Sequence, residues 1–349
     1  MNEFAELAHE VLNRCDQLGL ISQSPGMVDR RYLTPQHRQA NDLVAQWMQQ
    51  AGMQTWQDAA GNQWGRYQSH NTDAKAFVFG SHLDTVPNGG KYDGMLGVIA
   101  PLAVIQYCHD QGIRFPFHID IVGFGDEEGT RFGSTLLGSR ALTGRWQETW
   151  RDLRDKDQVS LPDALKNFGS SFENISQAKL DPSTLLGYLE VHIEQGPVLE
   201  NQSLPVGWVT AIAGAKRYDI KVNGMAGHAG TVPMPLRQDA MTACSEMVLA
   251  IESIATEHAV VATVGRMDVK PGAVNVIPGE VAFSLDIRSE YDDMRDKALD
   301  AILLKLRDIA NRRRVDLNWQ MTHQANAVHC NPALSPVSYT HLTLPTTSF

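Results

Sequence analysis

Two periodicities of apolar and polar residues alternate along the first two hundred residues. Apolar positions recur at helical spacing over 4–15 and again over about 34–52, where a Thr-Pro pair supplies an N-cap and a first-turn proline. A nearly continuous apolar stretch over 95–107 predicts a buried helix. Short apolar runs predict strands at 76–79, 117–123 and 188–193. Strands that alternate with helices are typical of a layered α/β domain.

The pattern changes after about Gly207, where strands and helices are grouped differently. The predicted strands are 217–223, 260–269, 280–288 and 315–322, and the predicted helices are 238–257 and 291–311. Four strands with two helices between them predict a smaller, separate α+β domain of ferredoxin-like type.

Composition excludes several classes of function. The chain has 349 residues, 43% of them hydrophobic and 20% charged, which is enough for two globular domains. A net charge of −10 disfavours a nucleic-acid partner, because phosphate backbones require a basic face. No run of 18 apolar residues predicts a membrane span, and the amphipathic N-terminus does not resemble a secretory signal.

The cysteines bear on the compartment. Four cysteines are scattered along the chain without CxxC spacing: Cys15, Cys108, Cys244 and Cys330. This usage predicts buried thiols in a reducing compartment, and hence a cytoplasmic protein.

The segment GSHLDTVPNGGKYDG, residues 80–94, combines four glycines with a histidine and two aspartates. His82 and Asp84 stand two residues apart, so on an extended strand they point to the same side. Asp93 follows a Pro-Asn-Gly-Gly turn that can fold it back toward His82. We interpret the glycines as the means by which His82 and Asp93 reach one metal ion.

Two further predicted strands end in residues of the same chemistry. Asp126, Glu127 and Glu128 follow the strand that ends near 123, and His192 lies in the strand-like stretch LEVHIEQG. Taken singly, a strand-end histidine is more often a hydrogen-bonded structural residue, and an acidic triplet is usually solvated. Together these residues suit Zn²⁺ or Mn²⁺, because clustered carboxylates repel one another unless a cation lies between them. For Asp126 we favour a solvated or structural role.

Five segments taken together resemble one known family. They are GSHLDTVPNGGKYDG, GDEEGTRFGSTLLGSR, EVHIEQGPVLE, GMAGHAGTVPM and GAVNVIPGEVAFSLDIR. They resemble the hydantoinase/carbamoylase branch of the M20 metallopeptidase-like amidohydrolases, and the resemblance covers about residues 1–337. That branch includes allantoate amidohydrolases, N-carbamoyl-L-amino acid hydrolases and β-ureidopropionases. It implies a catalytic α/β/α domain with a mixed sheet and an inserted α+β dimerisation domain.

The resemblance also implies domain limits. The first part of the catalytic domain would span 1–207, the dimerisation and lid domain 208–323, and the start of the return to the catalytic domain 324–337. The protein would be a homodimer, with neither nucleic acid nor membrane as a partner.

By resemblance, the first domain holds two divalent metal ions per subunit, Zn²⁺ or Mn²⁺ and possibly Co²⁺. His82 and His192 would bind the first metal, Glu128 the second, and Asp93 would bridge both. The carboxylate of Asp84 would hold the His82 ring from behind. Glu127 resembles the general base that takes a proton from the attacking water.

By the same resemblance, the second domain contributes to the substrate site. His228 would stabilise the developing oxyanion, and Asn275 and Arg288 would bind the substrate carboxylate, some of them in the partner's site. Without the resemblance, Arg288 would be interpreted as a surface charge. Gln195 is a further candidate for substrate contact, and Lys216 and Arg217 are weaker ones.

The chain departs from the family pattern near its end. Members of this branch supply a last metal-ligand histidine in a Ser-Gly-Ala-Gly-His-Asp type motif, which this sequence lacks. Neither His329 nor His341 has suitable neighbours, so neither is assigned. The final twelve residues, SYTHLTLPTTSF (338–349), resemble a translated library adapter and are predicted to be non-native. We therefore expect this chain to bind its second metal poorly and to have little activity.

Three functions remain open from the sequence. The first is hydrolysis of ureido or linear amide C–N bonds, with allantoate as first choice, releasing ammonia and carbon dioxide. N-carbamoyl-L-amino acids are nearly equivalent substrates, because both kinds of substrate carry a carboxylate beside a ureido group, and β-ureidopropionase is a further alternative. The second is a dinuclear aminopeptidase or deacylase, and the third is a non-catalytic, metal-stabilised dimerisation protein.

Overall fold

A computed structural model describes residues 3–334 of the chain. The described residues form two compact units, which divide between Pro197 and Val198. The predicted non-native tail, 338–349, lies outside the described residues.

The first unit alternates helices and strands, with short 3₁₀ helices at 148–152, 172–178 and 182–184. In chain order its other elements are α1 (Glu3–Leu20), α2 (Pro35–Gln50), β1 (Gln54–Gln57), β2 (Gln63–Tyr67), β3 (Ala76–His82), α3 (Met95–Asp110), β4 (His118–Phe124), α4 (Leu137–Leu142), α5 (Leu161–Asn167) and β5 (Leu185–Leu189).

The helix signals in the sequence act as predicted. The Thr34 side chain accepts a hydrogen bond from the His37 N–H, and Pro35 opens α2. The apolar stretch of α3 includes Pro101 inside the helix and is buried along most of its length. The predictions of α1, α2 and α3 are confirmed: α2 and α3 end within three residues of the predicted ends, and α1 extends five residues beyond the predicted 4–15.

The five strands form one mixed sheet in the order β1-β2-β4-β3-β5. β3 runs parallel to both β4 and β5, whereas β1 and β2 are antiparallel to their neighbours. The carboxyl ends of β3, β4 and β5 therefore lie at the same edge of the sheet, where ligand sites of open α/β sheets are found. β1 and β2 had not been predicted, because their sequences, QTWQ and QWGRY, carry a weak apolar signal.

Both faces of this sheet are covered. One buried cluster packs α1, α2 and α3 against residues such as Ile119 and Ile121. A second cluster packs α4, α5 and residues 172–178 against Val78 and Val122. The result is a three-layer α/β/α arrangement with the core on either side of the sheet.

One strand prediction was wrong in its second half. Pairing of β5 with β3 ends at Phe79 and Leu189, so residues 190–193 are not strand and His192 lies in a loop. The residues of LEVHIEQG alternate as in a strand. However, β5 lies at the edge of the sheet, and the chain stops pairing with β3 at Glu190. Leaving the ladder frees the His192 ring to turn toward Asp93.

The second unit contains two longer helices and a separate antiparallel sheet, with a short 3₁₀ helix at 234–236. Its elements are α6 (Val198–Asn201), β6 (Ala211–Ile212), β7 (Gly214–Asn223), β8 (Gly227–His228), α7 (Ala240–Glu257), β9 (Val261–Thr263), β10 (Met267–Lys270), β11 (Val276–Ile277), β12 (Glu280–Ser289), α8 (Asp292–Arg313), β13 (Asp316–Ala325) and β14 (Val328–His329).

The main sheet of the second unit has the order β10-β12-β7-β13, with β9 also paired to β12. Alternate residues of β12, from Val281 to Ile287, join α7 and α8 in one buried cluster. The predicted single strand over 260–269 is two short strands instead, because residues 264–266 leave the ladder. The other predicted elements of this unit are confirmed.

The mixed α/β class, with a second α+β unit, is confirmed. The predicted boundaries at 207 and 323 remain proposals. Within residues 3–334, no helix is both long enough and apolar enough to cross a membrane. All four cysteines are free thiols; three of them are buried and Cys330 is half-buried.

Candidate metal centre

His82 is the last residue of β3 and is 3% exposed. Its Nδ1 lies 2.8 Å from the main-chain oxygen of Asp84, and its Nε2 faces Asp93 Oδ1 at 3.7 Å. Burial by itself lowers the pKa of His82, but the facing carboxylates of Asp93 and Asp84 outweigh burial and raise the pKa to about 9. The ring is thus fixed on one side and presents its other nitrogen to an anionic pocket.

Asp93 lies between two imidazole rings. Its Oδ1 is 3.7 Å from His82 Nε2 and 3.3 Å from His192 Nε2, and its Oδ2 accepts a 2.9 Å hydrogen bond from Gln195. The facing His82 ring holds the pKa of Asp93 below its usual range. Oδ1 is buried and makes no hydrogen bond within the described residues. A buried carboxylate oxygen with two imidazoles beside it fits a cation ligand.

Gly94 explains how Asp93 comes so close to His82. Its backbone has φ +75°, a conformation that favours glycine, and a Cβ there would lie 2.5 Å from the His82 ring. Because Gly94 also caps α3, it lets that helix start directly beside the ring. The predicted role of glycine in this loop therefore falls on Gly94.

Asp84 joins the loop after β3 to the acidic loop after β4. It is 1% exposed, and its carboxylate accepts hydrogen bonds from the main-chain N–H groups of Glu127, at 3.0 Å, and Glu128, at 3.2 Å. Its Oδ1 is 3.9 Å from His82 Nδ1, too far for a hydrogen bond, so the main-chain oxygen of Asp84 is what contacts the ring. Its role behind His82 remains a proposal, and the structure adds the support of Glu127 and Glu128.

Glu127 and Glu128 complete a second group of possible ligands with His82. Burial, followed by the negative charges of Asp84 and Glu190, raises the pKa of Glu127, although part of its side chain reaches solvent. Burial, followed by the like charges of Glu127 and Asp93, raises the pKa of Glu128 to about 7. Glu127 and Glu128 thus place two carboxylates beside His82, and a bound cation would offset their repulsion.

Asp126 does not match the solvated alternative. It is fully buried, its φ is +61°, and neither carboxylate oxygen has a hydrogen-bond partner within the described residues. Burial raises the pKa of Asp126 well above its usual range. The solvated interpretation is wrong because the chain turns inward directly after Gly125, while the structural alternative agrees with the burial.

Asn62 supports this turn and was missed from the sequence. It is fully buried; its side-chain oxygen accepts from the Gly125 N–H at 3.0 Å, and its amide donates to Asp58 at 2.8 Å. A Cβ on Gly138 would lie 2.2 Å from the same oxygen, so this contact requires glycine there. The signal in the sequence is only a Gly-Asn turn, which does not reveal a long-range partner.

His192 reaches the site from the loop after β5. Its ring stacks on that of His82 with centroids 5.8 Å apart, and its Nδ1 lies 2.8 Å from the Ile193 main-chain oxygen, leaving Nε2 facing Asp93.

Two groups of side chains thus share His82: one adds Asp93 and His192, and the other adds Glu127 and Glu128. In each group the ligand atoms lie within 4.8 Å of one another. Imidazole with carboxylate suits Zn²⁺, Mn²⁺ or Co²⁺, so the residues present fit a divalent metal. All five predicted metal-site and base residues, together with Asp84 and Gln195, are brought together.

In the second unit, His228 and Asn275 are neighbours. β8 pairs with β11 through His228 and Val276, and Ala229 donates its N–H to the main-chain oxygen of Asn275 at 3.0 Å. His228 Nδ1 accepts from the Gly230 N–H at 3.1 Å. A neutral ring therefore carries its proton on Nε2 and can donate it outward.

Arg217 and Arg288 are also brought together, on one face of the second sheet. Both donate to the Asp286 carboxylate, each through Nε at 2.8 Å. The weaker candidate, Lys216, pairs instead with Asp296 at 2.8 Å. Arg217 and Arg288 thus form a cationic pair around one carboxylate, while Lys216 is separately engaged.

Comparisons with known proteins show what the chain is similar to. Residues 78–334 match the family model described as peptidase family M20/M25/M40. The chain is 37% identical to allantoate deiminase 1 of Glycine max, over 94% of this chain and 73% of the relative. It is 41% identical to an N-carbamoyl-L-amino acid amidohydrolase of Geobacillus stearothermophilus, over 91% and 78%. A crystal structure of a hydantoinase/carbamoylase family amidase from Burkholderia ambifaria superposes with a TM-score of 0.86 at 33% identity, covering 95% of this chain and 81% of that one.

Proposed function

The chain belongs to peptidase family M20/M25/M40, and from that premise we propose that the cluster around His82 hydrolyses the C–N bond of a ureido group in a small carboxylate substrate. Its relatives are amidohydrolases named for allantoate and for N-carbamoyl amino acids. The chain is accordingly a hydrolase of that type.

One observation carries the proposal. His82, Asp93, His192, Glu127 and Glu128 converge at one edge of the first sheet, and Asp93 Oδ1 is buried between two rings. A purely structural cluster would satisfy its carboxylates with hydrogen-bond donors, as Asp84 does.

We assign Glu127 as the general base. Its carboxylate reaches solvent, its main-chain N–H is held by Asp84, and its raised pKa suits a group that accepts and returns a proton near neutral pH. Divalent ions, when bound by His82, Asp93, Glu128 and His192, supply Lewis-acid activation of the water and the substrate carbonyl. Glu127 would take the proton of that water and deliver it to the leaving nitrogen.

The second unit would supply the substrate contacts. His228 offers Nε2–H for the developing oxyanion, while Asn275 and the pair Arg217 and Arg288 bind the substrate carboxylate. Gln195, whose amide donates a hydrogen bond to Asp93, would contact the ureido group.

The reaction consumes one water. A ureido group R–NH–CO–NH₂ and water give R–NH₂, ammonia and carbon dioxide, with both C–N bonds of the carbonyl carbon broken in turn. We propose allantoate as the substrate, because relatives named for it cover almost all of this chain. An N-carbamoyl-L-amino acid is the second candidate, since the Geobacillus relative named for that substrate has the higher identity, 41%.

Three finer features belong to the same proposal. The metal would be Mn²⁺ or Zn²⁺, two ions per subunit, because imidazole and carboxylate ligands suit both. The active form would be a homodimer, and the free thiols agree with a cytoplasmic location.

Ammonia release tests the proposal. The Mn²⁺-loaded chain is incubated at high protein concentration with allantoate or with an N-carbamoyl-L-amino acid, beside Glu127→Gln. We expect ammonia from allantoate first, and a loss of about 10²-fold or more in the variant, because its amide cannot accept a proton. Glu190→Gln is the matched control, because it removes a nearby carboxylate that accepts a hydrogen bond from the Tyr188 hydroxyl. This variant should retain turnover. Equal ammonia release from Glu127→Gln and the unmodified chain would remove the base assignment.

A further inference from the structure

Arg30 is a completely buried arginine in the segment between α1 and α2. Its Nε donates to the main-chain oxygen of Leu83 at 2.7 Å. One terminal nitrogen donates to the oxygens of Leu18 and Ile21, and the other lies 2.8 Å from the Met95 sulfur. The guanidinium is therefore surrounded by fixed acceptors from three parts of the chain.

These acceptors lie beside the candidate metal ligands. Leu83 stands between His82 and Asp84 in the chain, and Met95 follows Asp93 by two residues. The main chain of Arg30 continues the contact, because its N–H donates to the Thr85 hydroxyl and its oxygen accepts the Thr85 N–H, both at 2.9 Å. Arg30 thus fixes the segment that carries His82 and Asp84 from behind.

The charge of Arg30 has a specific neighbour. Among the described hydrogen bonds of Arg30, none goes to a carboxylate. Burial lowers its pKa to about 10, and the opposing contribution is the negative charge of Asp84.

We propose that Arg30 is a positioning residue for the metal centre: its hydrogen bonds fix the 82–85 segment, so that His82, Glu127 and Glu128 meet one divalent ion. The inference rests on the proposed function, because it assumes that these residues bind metal. Residues that orient metal ligands from behind typically affect affinity about 10–100-fold.

Metal binding by the full chain tests this role without relying on turnover. Mn²⁺ affinity is measured by titration calorimetry for the unmodified chain, Arg30→Lys and Arg30→Met. The visible absorption of bound Co²⁺ is recorded for each as a measure of ligand geometry. We expect Arg30→Met to lower Mn²⁺ affinity about 10–100-fold and to alter the Co²⁺ spectrum, with Arg30→Lys intermediate because it retains the charge without the fork of donors.

Arg295 provides the matched control. It is 1% exposed, lies in the second unit, and contacts Asp292, Asp296 and the main-chain oxygen of Ala325. Arg295→Met should lower the thermal midpoint and leave Mn²⁺ affinity unchanged. An equal loss of affinity in Arg295→Met would overturn the inference, because a general loss of stability would then explain both variants.

The remaining outcomes are also decisive. Unchanged Mn²⁺ affinity in folded Arg30→Met refutes the positioning role while leaving the proposed function intact. If Arg30→Met does not fold, Arg30→Lys decides by the same affinity comparison. An unmodified chain that folds and binds no Mn²⁺ refutes the proposed function itself.

Discussion

Replacing Gly94 by alanine should damage the metal centre in a way that can be worked out from the structure. The Gly94 backbone has φ +75° and ψ −50°, and an added Cβ would lie 2.5–2.6 Å from three atoms of the His82 ring. Ordinary carbon contacts are about 3.5–4.0 Å, so the ring or the start of α3 must retreat by about 1 Å. The His82 ring cannot rotate away freely, because Nδ1 is held by the Asp84 oxygen at 2.8 Å.

Two costs add in Gly94→Ala. The backbone conformation costs about 1–3 kcal/mol for a residue with a side chain. The steric contact costs about another 1–3 kcal/mol, because the neighbours are buried. We therefore expect a loss of about 2–6 kcal/mol in the free energy of unfolding of the metal-free protein. A displacement of about 1 Å at His82 should also reduce turnover by about 10²-fold.

Gly90→Ala is the matched control, because Gly90 lies in the same loop and a Cβ there meets nothing within 4 Å. Urea denaturation in EDTA gives the stability of both variants, and calorimetry gives their Mn²⁺ affinities. Gly90→Ala should lie within about 0.5 kcal/mol of the unmodified chain. If Gly94→Ala matched Gly90→Ala in both stability and Mn²⁺ affinity, the close approach of α3 to His82 would not be a requirement of the site.

Three further predictions concern metal and charge. Adding Mn²⁺ to EDTA-treated protein should raise the thermal midpoint. At a free Mn²⁺ concentration one hundred times the dissociation constant, the gain in the free energy of unfolding should be about 2.7 kcal/mol, and Asp93→Asn should remove most of it. Arg66→Met should cost about 1–3 kcal/mol in urea denaturation, because it leaves the 3% exposed Asp120 without its two 2.7 Å hydrogen bonds, whereas Arg151→Met, at an exposed pair, should cost little. Burial raises the pKa of Asp155, but hydrogen bonds from the Val159 N–H and from Arg131 outweigh burial and lower the pKa below its usual value. The ionised Asp155 therefore stabilises the fold at neutral pH, and this stabilisation is lost as the pH falls through the lowered pKa. Thermal midpoints from pH 5 to pH 2 should therefore decline less steeply in Asp155→Asn, and equal slopes would contradict the assignment.

Most of the fold could be predicted from local patterns. The N-cap at Thr34, the apolar stretch of α3 and the alternating residues of β12 each specify their own element. β1 and β2 could not be predicted, because Gln, Arg and Gly in these strands carry no clear alternation. The end of β5 was also missed, since where a ladder stops depends on the neighbouring strand rather than on the residues after Leu189.

The site was predictable where chemistry and strand ends coincide in the sequence. His82, Asp93 and Glu128 follow this rule, because the carboxyl ends of parallel strands share one edge of the sheet. Arg30 and Asn62 were missed, since each acts on a loop more than fifty residues away in the chain. The solvated interpretation of Asp126 failed for a similar reason. Three consecutive acids in a sequence do not show which of them is buried, and the burial of Asp126 depends on the turn after Gly125.

The charges around His82 give the strongest physical reason to expect a cation there. Five carboxylates belong to two short loops: Asp84, Asp93, Asp126, Glu127 and Glu128. Burial raises the pKa of all but Asp93, and repulsion from neighbouring acids adds to it at Asp126, Glu127 and Glu128, while the His82 ring offsets only part of this negative charge. A fold selected only for stability would replace some of these acids by neutral residues, because unpaired buried charge is costly. Retaining them makes physical sense if a divalent ion completes the charge balance, which joins the stability of these loops to the hydrolysis that we propose.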